Sequence, residues 1–251
     1  MSKPNRSSYL PYLFEFLVVV LGVTVSFGLD NWWHARRQSA QHARDVQSIL
    51  EDLERDRERI ALVQDFIVAG KEALARILEV TAKQRRGAVD YDEFVRVLKE
   101  QETPYRYATF YMNSSTYKSL LSNGRLQLFP EAVNKKLRDY YEYVSKRVDD
   151  NNDIVDRITL RYYNEDHPWV NYRHGAEALR DVGRAEAVAA SAEGYFSGPG
   201  VREHYTQLSF LHGTLSVYDR VLVHSGQVDF YEQLRGELTG ILEAYAERSS
   251  D

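Results

Sequence analysis

The chain has 251 residues, 32 basic against 37 acidic side chains, a net charge of −5 and no cysteine. The missing cysteine excludes disulfides and thiolate metal sites. Lys and Arg are dispersed among the acids rather than gathered on a basic face, which argues against nucleic acid as a partner.

Residues 1–9 form a short N-terminal tail, and residues 10–33 read as a transmembrane helix with its interface. Within residues 10–29 the only charge is Glu15. Twenty residues at about 1.5 Å each span roughly 30 Å, the thickness of a bilayer's hydrocarbon core. A helix satisfies every backbone hydrogen bond without water, which overrides the weak helix propensity of the Val-rich stretch. Tyr12, with Tyr9, and Trp32 with Trp33 flank the span as an aromatic belt. A cleaved signal peptide is the rival reading, with Ser26 and Gly28 as small residues near a cut. Glu15 interrupts the apolar region and helical periodicity runs on past that point, which favours a retained anchor.

Glu15 has two readings: an interfacial carboxylate, or a polar contact to another helix inside the membrane. Gly22 and Ser26, four apart, form a small-residue pair that lets a partner backbone approach, as do Thr24 and Gly28. Glu15, Gly22 and Ser26 are therefore the candidate intramembrane contact. Lys3 and Arg6 before the span balance Arg36, Arg37 and Arg44 after it, so charge does not orient the chain.

The remainder, residues 34–251, reads as a helical bundle domain. Residues 34–83 contain no Pro and a single glycine, Gly70. Val46, Ile49, Leu53, Ile60, Val63, Ile67, Leu74 and Ile77 keep a three-or-four spacing, with Asp56 and Gly70 at the remaining seam positions. The charged run 51–59 reads as a solvated face with (i, i+4) ion pairs. Arg85-Arg86-Gly87 ends this helix. Asp90 and Glu93 form an expected capping box for a short helix to Lys99. A Tyr-rich connection follows from Pro104 through Tyr105, Tyr107 and Tyr111. Residues 113–124 read as capping residues, two helical turns and a glycine stop, and residues 125–129 as a short linker.

Pro130 is expected at the first helical position of a second long helix, residues 130–164. Its stripe is Leu137, Tyr140, Val144, Val148, Ile154, Ile158 and Tyr162, with Asn151 as a register-fixing polar residue. His167-Pro168 stops it. Residues 169–183 read as a loop with a short turn and 184–196 as an Ala-rich helix. Ser197-Gly198-Pro199-Gly200 is a breaker. A final helix is expected over residues 201–246, with Tyr205, Leu208, Leu211, Leu215, Val221, Leu222, Leu234, Leu238, Ile241 and Tyr245 inward. Gly226, Gly236 and Gly240 suggest a kink or close packing. Three long and several short helices, with almost no alternating pattern, give an all-α, elongated bundle whose first helix continues the anchor.

The Glu-led apolar helix ending Leu29-Asp30-Asn31-Trp32 and the pattern Leu50-Glu51-Asp52-Leu53 resemble an uncharacterised family of bacterial single-pass inner-membrane proteins. Residues 115–126, read S-T-Y-K-S-L-L-S-N-G-R-L, and the later Leu137-Arg138-Asp139-Tyr140-Tyr141 resemble the same family's signature. The resemblance implies an extracytoplasmic, periplasmic helical domain and no activity. Asp30 stands where the family has Asn, and the N-terminus is less basic than the family's.

Chemistry-bearing motifs fail individually. There is no His-Glu-x-x-His or Glu-x-x-His, which a zincin or a di-iron carboxylate bundle needs. His204 and His212 are two ligands at most. Asp149, Asn151 and Asp153 mimic a calcium loop, but Ile154 and Leu160 stand where Gly and Glu are needed. Ser197 follows Tyr195 rather than the glycine of a nucleophile elbow. The chain has 18 tyrosines, and Tyr140, Tyr141, Tyr143, Tyr162 and Tyr163 read either as core or as an aromatic binding face. No catalytic, metal or cofactor residues are expected. The expectation is a membrane-anchored interaction or scaffold domain of the bacterial envelope. Its partners are the bilayer and either a second copy or another envelope protein. A small-molecule-sensing bundle acting through a partner is the alternative.

Overall fold

The computed structural model describes residues 10–101, 109–181 and 194–250. Tyr9, the Tyr12 side chain, Pro104, Tyr105, Tyr107 and most of the expected Ala-rich helix lie outside the described residues. The fold is all-α, with no strand among the described residues.

Helix α1 runs unbroken over Leu10–Arg85, 76 residues, or roughly 110 Å at the helical rise. Its two halves differ in what covers them. Residues 14–40 are exposed on every side, whereas from Asp45 onward one stripe is buried. All eight expected seam side chains, Val46 to Ile77, are buried, each contributing about 1.5–3 kcal/mol of apolar transfer. The helix closes on Gly87 at φ +70°. Gly87 N donates to Gln84 O at 2.9 Å and Ala88 N to Lys83 O at 2.9 Å, the paired bonds of a left-handed exit that satisfy the last carbonyls.

Helix α2 (Tyr91–Glu100) starts on Asp90, whose carboxylate accepts from Glu93 N at 2.8 Å. The box is one-sided, because the Glu93 carboxylate pairs with Arg96. Helix α3 (Ser115–Ser122) ends before Gly124, at φ +68°. The expected linker after it is instead a 3₁₀ turn, Arg125–Leu128, that buries Leu126. Pro130 is the N-cap rather than the first helical residue: its ψ of 147° is extended, and α4 starts at Glu131.

The second long helix is continuous but not uniform. Helix α4 (Glu131–Arg138) passes through a π-helical turn, Asp139–Val144, into α5 (Ser145–Arg161) and a second π turn, Tyr162–Asp166. Each wide turn accommodates two neighbouring aromatic rings inward, Tyr140 with Tyr141 and Tyr162 with Tyr163. Between them the buried positions are Val148, Asn151, Asn152, Val155 and Thr159; Ile154 is exposed and Ile158 half-buried, a correction to the expected stripe. Asn151 is buried as expected, yet its amide lacks a protein hydrogen-bond partner.

Residues expected as a loop form helix α6 (Trp169–Asp181). Tyr172 N donates to Pro168 O at 3.1 Å, and Trp169 anchors the helix against Phe196, with ring centroids 5.0 Å apart. The final segment is two helices, α7 (Pro199–Thr206) and α8 (Leu208–Ser250), parted at Gln207 with ψ 159°. In α8 the inward stripe is Phe210, Thr214, Val217, Val221, His224, Val228, Tyr231, Leu238 and Leu242. Leu208, Leu215 and Leu222, expected inside, are exposed. A Cβ on Gly226, Gly236 or Gly240 would meet nothing within 4 Å, so none marks close packing, and α8 passes all three without a break.

Helices α1 and α8 run antiparallel. His42 lies against Tyr245 (2.7 Å) and Gln64 against Asp229 (2.9 Å), and at the far end of α1 Arg85 donates to Thr206 O, the last residue of α7, at 3.0 Å. The C-terminal end of α8 therefore returns to the stalk, where residues 14–40 leave the bundle.

Candidate functional site: a buried acidic latch

The charged run 51–59 is not simply a solvated face. Asp52 is 2% exposed and Asp56 fully buried, whereas the flanking Glu54 and Arg57 stay outside and pair with each other at 2.7 Å. Four residues apart, the two carboxylates project from one side of α1.

Both carboxylates hold the segment that leads into α3. Asn113 N donates to Asp56 Oδ1 at 2.8 Å, and Asn113 Nδ2 to Asp52 Oδ1 at 2.7 Å. Thr116 N donates to Asp52 Oδ2 at 3.2 Å. Ser114, the α3 N-cap, makes no side-chain cap bond, so Asp52 caps α3 from a different helix and places negative charge at its N-terminus. Arg59 reaches Tyr111 O at 2.9 Å and Asn152 Nδ2 reaches Phe110 O at 2.8 Å. The fourth carboxylate oxygen, Asp56 Oδ2, accepts from the Tyr140 hydroxyl at 3.0 Å.

The surroundings set the electrostatics. Burial pushes the Asp56 carboxyl up to about 6, against the Asn113 and Tyr140 hydrogen bonds that favour its charged form. Burial and then the nearby Asp56 carboxylate push the Tyr140 hydroxyl far up; Tyr141 behaves alike. Both phenols stay protonated; Tyr140 donates to Asp56, whereas the buried Tyr141 hydroxyl has no hydrogen-bond partner. Tyr141 stacks on Tyr117 at 4.8 Å and meets Tyr140 edge-on at 5.1 Å. Tyr117 OH donates to Glu142 Oε1 at 2.5 Å. All four oxygens of the acidic pair are engaged, so the arrangement fixes geometry and offers no free base or nucleophile.

Three stretches singled out in the sequence, 50–53, 115–126 and 137–141, meet here. Leu53, Leu120, Leu126, Leu137, Tyr140 and Tyr141 belong to one apolar core, with Asp52 beside them. Sequence reasoning placed Asp56 on the seam but missed Asp52 and the latch. The one local mark is Asp56 itself, an acid where the seam is otherwise apolar; nothing local sets Asp52 apart from Glu51 and Glu54.

The other expected positions lie apart. Glu15, Gly22 and Ser26 are exposed along the first third of α1, and a Cβ on Gly22 would meet nothing within 4 Å. Trp32 and Trp33 are about half exposed, edge-to-face at 5.6 Å. Tyr140, Tyr141, Tyr162 and Tyr163 are core, whereas Tyr143 is exposed beside Arg147. His204 and His212 sit on separate helices; His204 Nε2 lies 2.9 Å from Asp166 O. Among the described residues no three metal-ligating side chains converge.

No protein-family model, curated protein or solved structure matches the chain. One helix, at the N-terminal end of the described residues, is long and apolar enough to cross a membrane.

Proposed function

We propose that the chain is a single-pass bacterial inner-membrane protein, akin to the family its motifs resemble, whose helical domain stands in the periplasm as an interaction or scaffold module. One observation carries this reading: residues 14–29 are predominantly apolar with Glu15 as their only charge, are exposed on every side, and continue without a break into the spine of the bundle. A helix that is apolar all round, with no protein cover, fits lipid. The continuity makes the spine a rigid coupler between membrane and bundle. The latch supports a scaffold reading, since all four oxygens of its acidic pair accept hydrogen bonds that tie segments of the fold together. The partner is a second copy or another envelope protein, met through the Glu15, Gly22, Ser26 face or through the bundle. A reporter fused after Asp251 tests the compartment. Capture of the full chain in mild detergent tests the role; recovery of neither an oligomer nor a partner overturns it.

A second reading has its own support in a cleft of about 450 Å³ between α1 and the end of α8, lined in part by His42, Val46, Leu50 and Tyr245. A small molecule bound there would bear on the joint between stalk and bundle. A ligand-induced thermal shift of the full chain tests it.

A further inference from the structure

We propose that Arg36 and Arg37, held over Trp32 and Trp33, form a collar that binds the phosphates of acidic phospholipids where α1 leaves the bilayer. The inference rests on the membrane-spanning reading above and adds a ligand class to it.

The Arg36 guanidinium lies 5.3 Å from the Trp32 ring centroid, and that of Arg37 lies 5.9 Å from the ring of Trp33. Both pairs are four apart, so each arginine reaches back one turn toward the apolar segment. This is the direction in which helical side chains tilt, toward the N-terminus. The Cα of residue 36 stands roughly 10 Å beyond Leu29 along the axis, and a reach of one turn brings its guanidinium back to roughly 5 Å. A headgroup layer is about 5–7 Å deep. The charges therefore fall at phosphate depth.

The ring contacts leave those charges available. Stacking on an aromatic face holds a guanidinium while its edge N–H donors stay free. Among the described residues no carboxylate pairs with either arginine; the nearby Asp30 is 3.5 Å from His34 instead. From residue 30 to residue 44 there are three arginines and a single acid, Asp30, in a chain whose net charge is −5. The local sign is opposite to that of the whole. Arg44 marks the limit of the collar: it stands roughly 22 Å beyond Leu29 and bonds to Gln41 at 2.8 Å. A planar fork that grips a phosphate through two N–H groups is what these side chains offer.

The test uses the full chain reconstituted into phosphatidylcholine vesicles, with trace spin-labelled phosphatidylglycerol or spin-labelled phosphatidylcholine. Wild type is expected to hold the acidic label several-fold more strongly, up to about fivefold per engaged arginine. Arg36→Gln with Arg37→Gln should bring the ratio near one, while Arg44→Gln leaves it unchanged. No preference in wild type, or a preference that survives the double substitution, overturns the collar. Replacing chloride by inorganic phosphate at equal ionic strength should change nothing; loss of preference only in phosphate identifies a free anion as the ligand and overturns the lipid assignment. Alkaline extraction separates the two layers of inference. Release of the wild type from vesicles overturns the spanning reading and the collar with it, whereas retention without lipid preference overturns the collar alone.

Discussion

The carboxyl carbon of Asp166 lies 2.2 Å from the point where a Cβ on residue 213 would stand. Asp166 closes the second π turn, and Gly213 lies on the first turns of α8, so glycine here lets a half-buried acid press against a neighbouring helix. Gly213→Ala forces that carboxylate out of place, and after alanine's helix-propensity gain is set against it the variant is expected to lose up to about 2 kcal/mol. Gly226→Ala is its counterpart. With open space around its Cβ, it should gain up to about 1 kcal/mol from helix propensity. Thermal melts of the two variants should move in opposite directions; movement in the same direction would contradict the close approach.

The latch predicts a pH dependence with a definite sign. The Asp56 carboxyl is raised from 3.8 to about 6 in the folded chain. Its contribution is fully present below the unfolded value and is lost as pH rises through about 6, because the buried group must then ionise. Two pH units correspond to about 3 kcal/mol. The histidines act in the opposite sense. Burial, with His204 adding to it, lowers His167 to about 3; burial, with Arg220 adding to it, lowers His224 to about 4. Their contribution is lost as pH falls from 6.5 through those values. Asp56→Asn isolates the carboxylate, since Asn keeps an acceptor for Asn113 N. Its stability relative to wild type should rise by about 3 kcal/mol from about pH 4 to about pH 7, read by chemical denaturation in mild detergent. A difference that is flat with pH would remove Asp56 as the titrating group.

Gly124 stands at φ +68° with open space around its Cβ. Backbone strain is therefore the whole effect of adding a side chain there. Gly124→Val should cost at least about 1 kcal/mol, and Gly124→Asn, which tolerates the left-handed region, clearly less. Equal melting of both variants with wild type would contradict the turn.

What was legible in the sequence follows from range. The α1 seam, the Gly87 and Gly124 exits and the all-α class are local patterns of 3.6 residues, and each could be read where it stands. The α8 stripe was misread at three positions because Leu208, Leu215 and Leu222 keep a seven-residue spacing as good as that of the true inner positions, and periodicity alone does not choose between two faces. The π turns left no local mark beyond the doubled tyrosines. The latch was hidden for a different reason. Its bonds join residues 57 to 84 apart, and an acid on a charged stretch looks solvated until its distant donors are known. Asp52 differs from Glu51 and Glu54 in its partners, not in its neighbours.

Glu15 is where structure comes nearest to a partner. Seven residues separate it from Gly22 and four more lead to Ser26, so at 3.6 residues per turn all three fall along one face of α1, and that face is uncovered. A carboxylate in a span is costly, about 2.5–3.5 kcal/mol for an Asp at a helix centre and less near an interface. A partner helix that hydrogen-bonds it offsets that cost. Glu15→Gln keeps part of such bonding and Glu15→Leu keeps none, so assembly should fall from wild type to Gln to Leu. Gly22→Leu should match the Leu variant by holding the partner backbone away. A photo-reactive side chain at position 26 reads the contact in membranes, and the mass of its product separates a second copy from another envelope protein. Equal cross-linking in all four proteins would remove the intramembrane contact, leaving the bundle as the surface through which this chain meets a partner.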